Sequence, residues 1–119
     1  MKYMLLVYDD EKMLAKMPET ERQTLVGDYL RFSKEIRESG HYKASAPLQP
    51  TSKATTVRMR NGRRMVNDGP FADTHEQLGG YYLVEARDLD EAIGIASRIP
   101  SARTGTIEVR PVMAQSPEP

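Results

Sequence analysis

Residues 78–96 read LGGYYLVEARDLDEAIGIA, and two periodicities meet inside that run. From Leu78 to Ala86 the side chains alternate, with Tyr81, Leu83 and Glu85 on one side and Tyr82 and Val84 on the other. That spacing predicts a strand. Asp88 then stands where an N-cap belongs, with Glu91 three residues on as a variant capping box. Leu89, Ala92, Ile93 and Ala96 supply one apolar helix face, and Pro100 ends it. A further strand follows over Thr104–Val112, with Ile107 and Val109 opposite Glu108 and Arg110.

Working back toward the N-terminus, Lys2–Tyr8 is a short apolar and aromatic run stopped by Asp9, Asp10 and Glu11, a strand buried on both faces. Met13–Met17 reads as a connector. Pro18 opens a helix, Glu19 and Glu21 suit its positive end, and Gly40 closes it. Its apolar stripe is Leu25, Tyr29, Phe32 and Ile36. Gly27 lies inside that helix at a cost of about 1 kcal/mol relative to Ala, which a close packing contact would explain. His41–Leu48 is a weaker strand, closed by Pro47 and Pro50. Ala54–Arg60 and Arg63–Val66 flank Asn61-Gly62, the strongest short hairpin signal there is. Asp68-Gly69-Pro70-Phe71 is a turn by residue type, and Gly79-Gly80 inside a strand marks a bulge or a close backbone approach.

The order is strand, helix, strand, hairpin, strand, helix, strand. Two helices on one face of a mostly antiparallel sheet make an α+β sandwich. Residues 1–113 form the one domain and 114–119 a flexible tail. The first and the long central strand carry apolar residues on both faces, so the sheet needs a second cover, most economically another copy of the chain. The 119 residues hold seventeen basic and seventeen acidic side chains and no cysteine. Zero net charge argues against direct nucleic-acid binding. The missing cysteines exclude disulfides and thiolate metal sites, and His41 and His75 alone are too few for an ordinary zinc site. No run is apolar enough to span a bilayer and no signal-peptide cleavage pattern is present, so the expected location is cytoplasmic, with no cofactor.

The run Asp68-Gly69-Pro70-Phe71-Ala72-Asp73-Thr74-His75-Glu76-Gln77-Leu78-Gly79-Gly80-Tyr81-Tyr82 resembles the DGPF group of the YCII-related family, and the match continues through Val84–Ala92 and Ile107–Pro111. The resemblance implies a ferredoxin-like fold that dimerises into an α+β barrel. It also implies a functional link to extracytoplasmic-function sigma factors. The wider family is associated with a His on the first helix and an Asp at the end of the second. Here Tyr29 and the Ile99-Pro100 step fall at those places, so that acid–base pair does not carry over.

Asp68 fits two readings, a cleft carboxylate acting as base or anchor and a turn residue accepting backbone hydrogen bonds. Tyr8, Tyr29, Tyr81 and Tyr82 fit a pocket for a flat small molecule and equally core or interface packing. His75 and Glu76 fit proton transfer, a weak metal site or plain solvent exposure. Arg58, Arg60, Arg63 and Arg64 gather at the hairpin, where Arg60 faces Arg63, and charged edges also block strand pairing. Arg110 and Glu85 are positioned to pair inside a barrel, or to sit on the surface. Asp68, Tyr29 and Tyr81 are the catalytic candidates, and Tyr8, Glu76, Tyr82 and Arg110 the ligand-binding ones. The expected function is a small-molecule-binding or regulatory module tied to bacterial stress or transcription. The alternative is a small cofactor-independent isomerase, lyase or oxygenase with its pocket between sheet and helices.

Overall fold

The computed structural model describes residues 1–114; the expected flexible tail lies, apart from Ala114, outside the described residues. The elements run β1 (Lys2–Asp9), α1 (Glu11–Ala15), α2 (Glu19–Glu38), β2 (Tyr42–Pro47), β3 (Thr55–Arg60), β4 (Arg63–Asp68), β5 (Gln77–Glu85), α3 (Leu89–Ser97) and β6 (Thr106–Pro111). Short 3-10 turns at Thr51–Lys53 and Pro100–Arg103 join them. The main sheet has the order β2-β5-β1-β6 with every neighbour antiparallel, the arrangement expected of a ferredoxin-like α+β fold. The expected connector instead forms α1, because the Asp10 carboxylate accepts from the Lys12 and Met13 amides and caps a turn of helix there.

Alternation along the central strands sorts the sheet into two faces. Tyr3, Leu5 and Val7 of β1, with Tyr82 and Val84 of β5, are buried against Phe32 and Ile36 of α2 and Ala92, Ile95 and Ala96 of α3. Ile107 and Val109 of β6 close that core, and the Tyr82 ring meets the edge of Phe32 at 5.0 Å and 88°. Such an aromatic pair adds ~1 kcal/mol beyond its area. The α2 stripe is as the spacing predicts. On α3 the buried face is instead Ala92, Ile95 and Ala96, with Ile99 buried just past its end, while Leu89 and Ile93 are exposed. The alanines let that helix approach the sheet closely, so its contact line passes between them. The N-cap holds: Asp88 accepts from the Glu91 amide at 2.9 Å, and Glu91 from the Arg87 amide at 2.8 Å.

The opposite face carries Met4, Leu6 and Tyr8 of β1, Tyr81 and Leu83 of β5, and Ala44 and Ala46 of β2, all half-buried and covered by no helix among the described residues. Glu85, Glu108 and Arg110 border it. Glu85 and Arg110 do not pair. β1 lies between their strands, so Arg110 binds Glu108 at 2.9 Å and Glu85 takes the N-terminal ammonium.

The Asn61-Gly62 hairpin forms as predicted, with φ of 53° and 75° at the turn, and Arg60 opposite Arg63. It makes a separate two-stranded sheet rather than joining the main one. All of β4 is exposed, as is β3 except for half-buried Thr56. The double glycine does make a bulge: Val7 pairs with Gly80 and Tyr8 with Leu78, leaving Gly79 unmatched. Gly80 is also a point of close approach, since a Cβ there would meet the Ala46 carbonyl oxygen at 2.9 Å.

Candidate functional site

Where β1 ends, the Asp9 carboxylate turns toward the helix layer. There it accepts from the Ser101 hydroxyl at 2.8 Å, and Ser101 Oγ lies 2.5 Å from the Tyr29 hydroxyl. Ser101 is only 2% exposed and is the one buried polar side chain among the described residues. Three elements converge on this chain: β1 supplies Asp9, the middle of α2 supplies Tyr29, and the 3-10 turn after Pro100 supplies Ser101. A second hydroxyl pair lies alongside, with Ser33 Oγ and Tyr82 OH 2.8 Å apart.

Both pairs open into a cleft of about 410 Å³ between the sheet and α2. Its apolar walls are Val7, Leu14, Leu25, Leu30 and Pro47, and its sheet side is formed by Gly79, Gly80 and the chain at Ala46 and Tyr81, whose side chains alternate to the open face. The lining holds one carboxyl and no lysine, arginine or histidine. A mostly apolar concavity with a few converging polar groups is the ordinary form of a small-molecule site.

Burial holds the Asp9 carboxyl above the usual carboxylate range, against the pull of the Ser101 hydroxyl, and the negative charge of Glu76 pushes the same way as burial. Burial likewise raises the Tyr29 phenol, so it stays neutral at ordinary pH, and it raises the Tyr82 phenol. The chain can therefore be read in either direction. With Asp9 ionised, Ser101 donates to it and Tyr29 donates to Ser101. With Asp9 protonated the polarity can reverse, and the Tyr29 O–H is freed to donate into the cleft. One proton on Asp9 thus changes what Tyr29 offers a bound molecule.

This raised carboxyl has a consequence for stability. Its proton is held more tightly in the native than in the unfolded chain, so stability falls as pH rises from the ordinary carboxylate range through the raised native value. Asp9→Asn keeps an acceptor for Ser101 and removes the buried charge. Its melting temperature is expected to gain on the wild type across that window and to stay higher above it. Melting curves against pH check this, and a wild type that gains on Asp9→Asn with rising pH contradicts it.

The residues singled out by sequence separate into three places. Tyr29, Tyr81 and Tyr82 border the cleft, and Glu76 is near enough to Asp9 to act on its charge. Tyr8 and Arg110 lie on the open face, both bonded to Glu108, at 3.4 and 2.9 Å. Asp68 sits exposed at the base of the hairpin, opposite Thr55, and does not line the cleft. His75 is 87% exposed and 4.0 Å from Asp10, and no group of three metal-binding side chains occurs among the described residues.

Asp9, Ser33 and Ser101 went unnoticed in the sequence. The pointer to Ser101 was its place two residues past Ile99, where the family resemblance puts one half of a pair whose other half falls at Tyr29. The structure bonds Tyr29 to Ser101, two residues beyond that place.

The YCII-related domain family matches residues 1–116. The chain belongs to that family. It is also 37% identical, over 119 residues, to an uncharacterised protein of Rhizobium meliloti (strain 1021), covering 98% of this chain and 96% of that protein. No helix among the described residues of this YCII-related chain is long and apolar enough to cross a membrane.

Proposed function

We propose that this YCII-related protein is a homodimeric small-molecule-binding protein whose ligand enters the cleft between the sheet and α2. The observation that carries this reading is the pair of part-buried hydroxyl systems, Asp9–Ser101–Tyr29 and Ser33–Tyr82, converging on a mostly apolar cleft of about 410 Å³. Side chains that only packed a core would not leave that volume beside satisfied hydroxyls. The lining also suggests a ligand class. One acid and no base disfavour a carboxylate or phosphate and favour a neutral or protonated-amine molecule with an apolar body and a hydrogen-bonding end. The unpaired open face of Met4, Leu6, Tyr81 and Leu83 supports the dimer, because two such faces bury each other.

A second reading, a cofactor-independent enzyme acting by proton transfer, is favoured by the raised Asp9 carboxyl and its hydroxyl chain to Tyr29. In that reading Asp9 holds the proton and Tyr29 presents it or takes it up at the ligand.

A thermal-shift panel of neutral, cationic and anionic amphiphiles tests the binding reading. A ligand at a hundred times its Kd stabilises the native state by ~2.7 kcal/mol, a shift of several degrees. Neutral or cationic compounds are expected to give it, and Tyr29→Phe with Ser101→Ala to lose at least half of it. A panel in which only anions stabilise, or in which the double variant responds like the wild type, sinks the assignment of this cleft.

A further inference from the structure

We infer that the β3–β4 hairpin is an arm that inserts into a second copy of the chain, its Val57, Met59 and Val66 face against apolar surface of that copy and its opposite face, with Arg58, Arg60 and Arg63, against acidic surface. The inference rests on the dimer proposed above and adds a second contact to it. Among the described residues the arm's two strands pair only with each other, and every residue of them is exposed but half-buried Thr56. Its pairing places Val57 opposite Val66 and Met59 opposite Arg64 on one face, and Arg58 opposite Met65 and Arg60 opposite Arg63 on the other. Val57, Met59 and Val66 are 59%, 58% and 53% exposed. An isolated two-stranded ribbon is marginally stable in water, so an arm with an apolar face calls for a surface to rest on. The radius of gyration is 16.6 Å, against about 13.5 Å for a compact chain of this length, which marks how far the molecule reaches beyond its core.

Charge identifies the occupant. Thr51–Pro70 holds Lys53, Arg58, Arg60, Arg63 and Arg64 against Asp68 alone, a local charge of +4 in a chain of zero net charge. The remainder therefore carries −4. A basic arm on an acidic body is self-complementary between copies, and in a two-fold dimer each arm finds the other body by the same contact. Among the described residues none of the four arm arginines has a carboxylate within 4.0 Å in its own chain. Nucleic acid fits less well, because phosphates leave the valine and methionine face uncovered and the acidic body repels them.

The arm is rooted beside the cleft. The Thr51 amide and hydroxyl both donate to the Glu11 carboxylate, at 2.9 and 2.7 Å, and the Glu11 amide donates to Gln77 Oε1 at 2.9 Å. Glu11 follows Asp9 by two residues, so an arm held by a partner also holds the end of β1 that aims Asp9.

Sedimentation equilibrium on the full chain is the test, with wild type, Val57→Asp/Val66→Asp and Arg60→Glu/Arg63→Glu. Their fold is checked by circular dichroism. The absence of cysteine permits a second readout, in which a photo-crosslinker on Met59→Cys is activated in a mixture of isotopically light and heavy copies. A dimeric wild type, at least tenfold weaker association in both variants, and crosslinks between light and heavy chains are expected. A dimer whose Kd neither variant changes overturns the arm contact and leaves the sheet-face dimer standing. A monomeric wild type overturns both. Binding of duplex DNA or RNA that the Arg60→Glu/Arg63→Glu variant abolishes, with its dimer intact, also overturns the inference and reassigns the arm to nucleic acid.

Discussion

Gly105→Ala is expected to destabilise the protein by about 3 kcal/mol or more and to lower its melting temperature by roughly 10 °C. A Cβ at Gly105 would sit 2.1 Å from the Tyr8 carbonyl oxygen, 3.2 Å from the Tyr8 carbonyl carbon and 2.8 Å from Asp9 Oδ1. Two of those atoms are backbone of a central strand that pairs on both sides with β5 and β6, so they cannot rotate away as a flexible side chain would. Relief requires β6 to move off β1 or the end of β1 to move outward, and the second movement carries Asp9 away from Ser101. The variant should therefore lose any ligand-induced thermal shift as well as stability. Gly27→Ala is the contrast. A Cβ at Gly27 meets nothing within 4 Å, so no contact in this structure explains the glycine, and alanine there should stabilise α2 by ~0.5–1 kcal/mol. Denaturant unfolding of the two variants reads both numbers. A Gly105→Ala protein as stable as the wild type would show that β1 and β6 are not held at this distance.

The same residues show what the sequence could and could not disclose. The strand and helix order, the Asn-Gly turn and the bulge at Gly79-Gly80 were legible because each is set by neighbours within a few residues: alternation, a cap, a positive φ. Asp9 and Ser101 were not, since they are 92 residues apart and meet only because β1 and the turn after α3 end at the same edge of the helix layer. Asp68 misled for the converse reason. Gly69 has the positive φ that the turn reading asked for, but Asp68 itself ends β4 as a ladder residue opposite Thr55, and the hairpin pairs only with itself and carries the residue away from the cleft. Glu85 and Arg110 share a face but lie two strands apart, about 9.6 Å at ordinary strand spacing, which alternation alone does not reveal. The cleft could be anticipated from Tyr29, Tyr81 and Tyr82; its acid could not.

Leu83→Glu is expected to convert the proposed dimer to monomer at micromolar concentration, with Kd raised by a thousandfold or more. Leu83 lies at the middle of β5, between Met4 of β1 and Ala44 of β2, on the face that no helix covers. In one chain it is half-exposed, so a glutamate there still reaches water and the fold should survive with a small change in melting temperature. Between two packed sheets the same carboxylate would be desolvated without a partner. Among the described residues the cations bordering that face are already engaged: Arg110 is bound to Glu108, and Lys2 lies opposite Glu85 and acts on its charge. Breaking even with water would then cost several kcal/mol per copy, and two-fold symmetry applies the cost twice. A thousandfold loss corresponds to ~4 kcal/mol, well within that range. Light scattering over a dilution series measures it, with circular dichroism to confirm that the monomer stays folded. If Leu83→Glu remains a dimer of wild-type affinity, the open sheet face is not where two copies meet, and whatever holds them together must lie elsewhere on the chain.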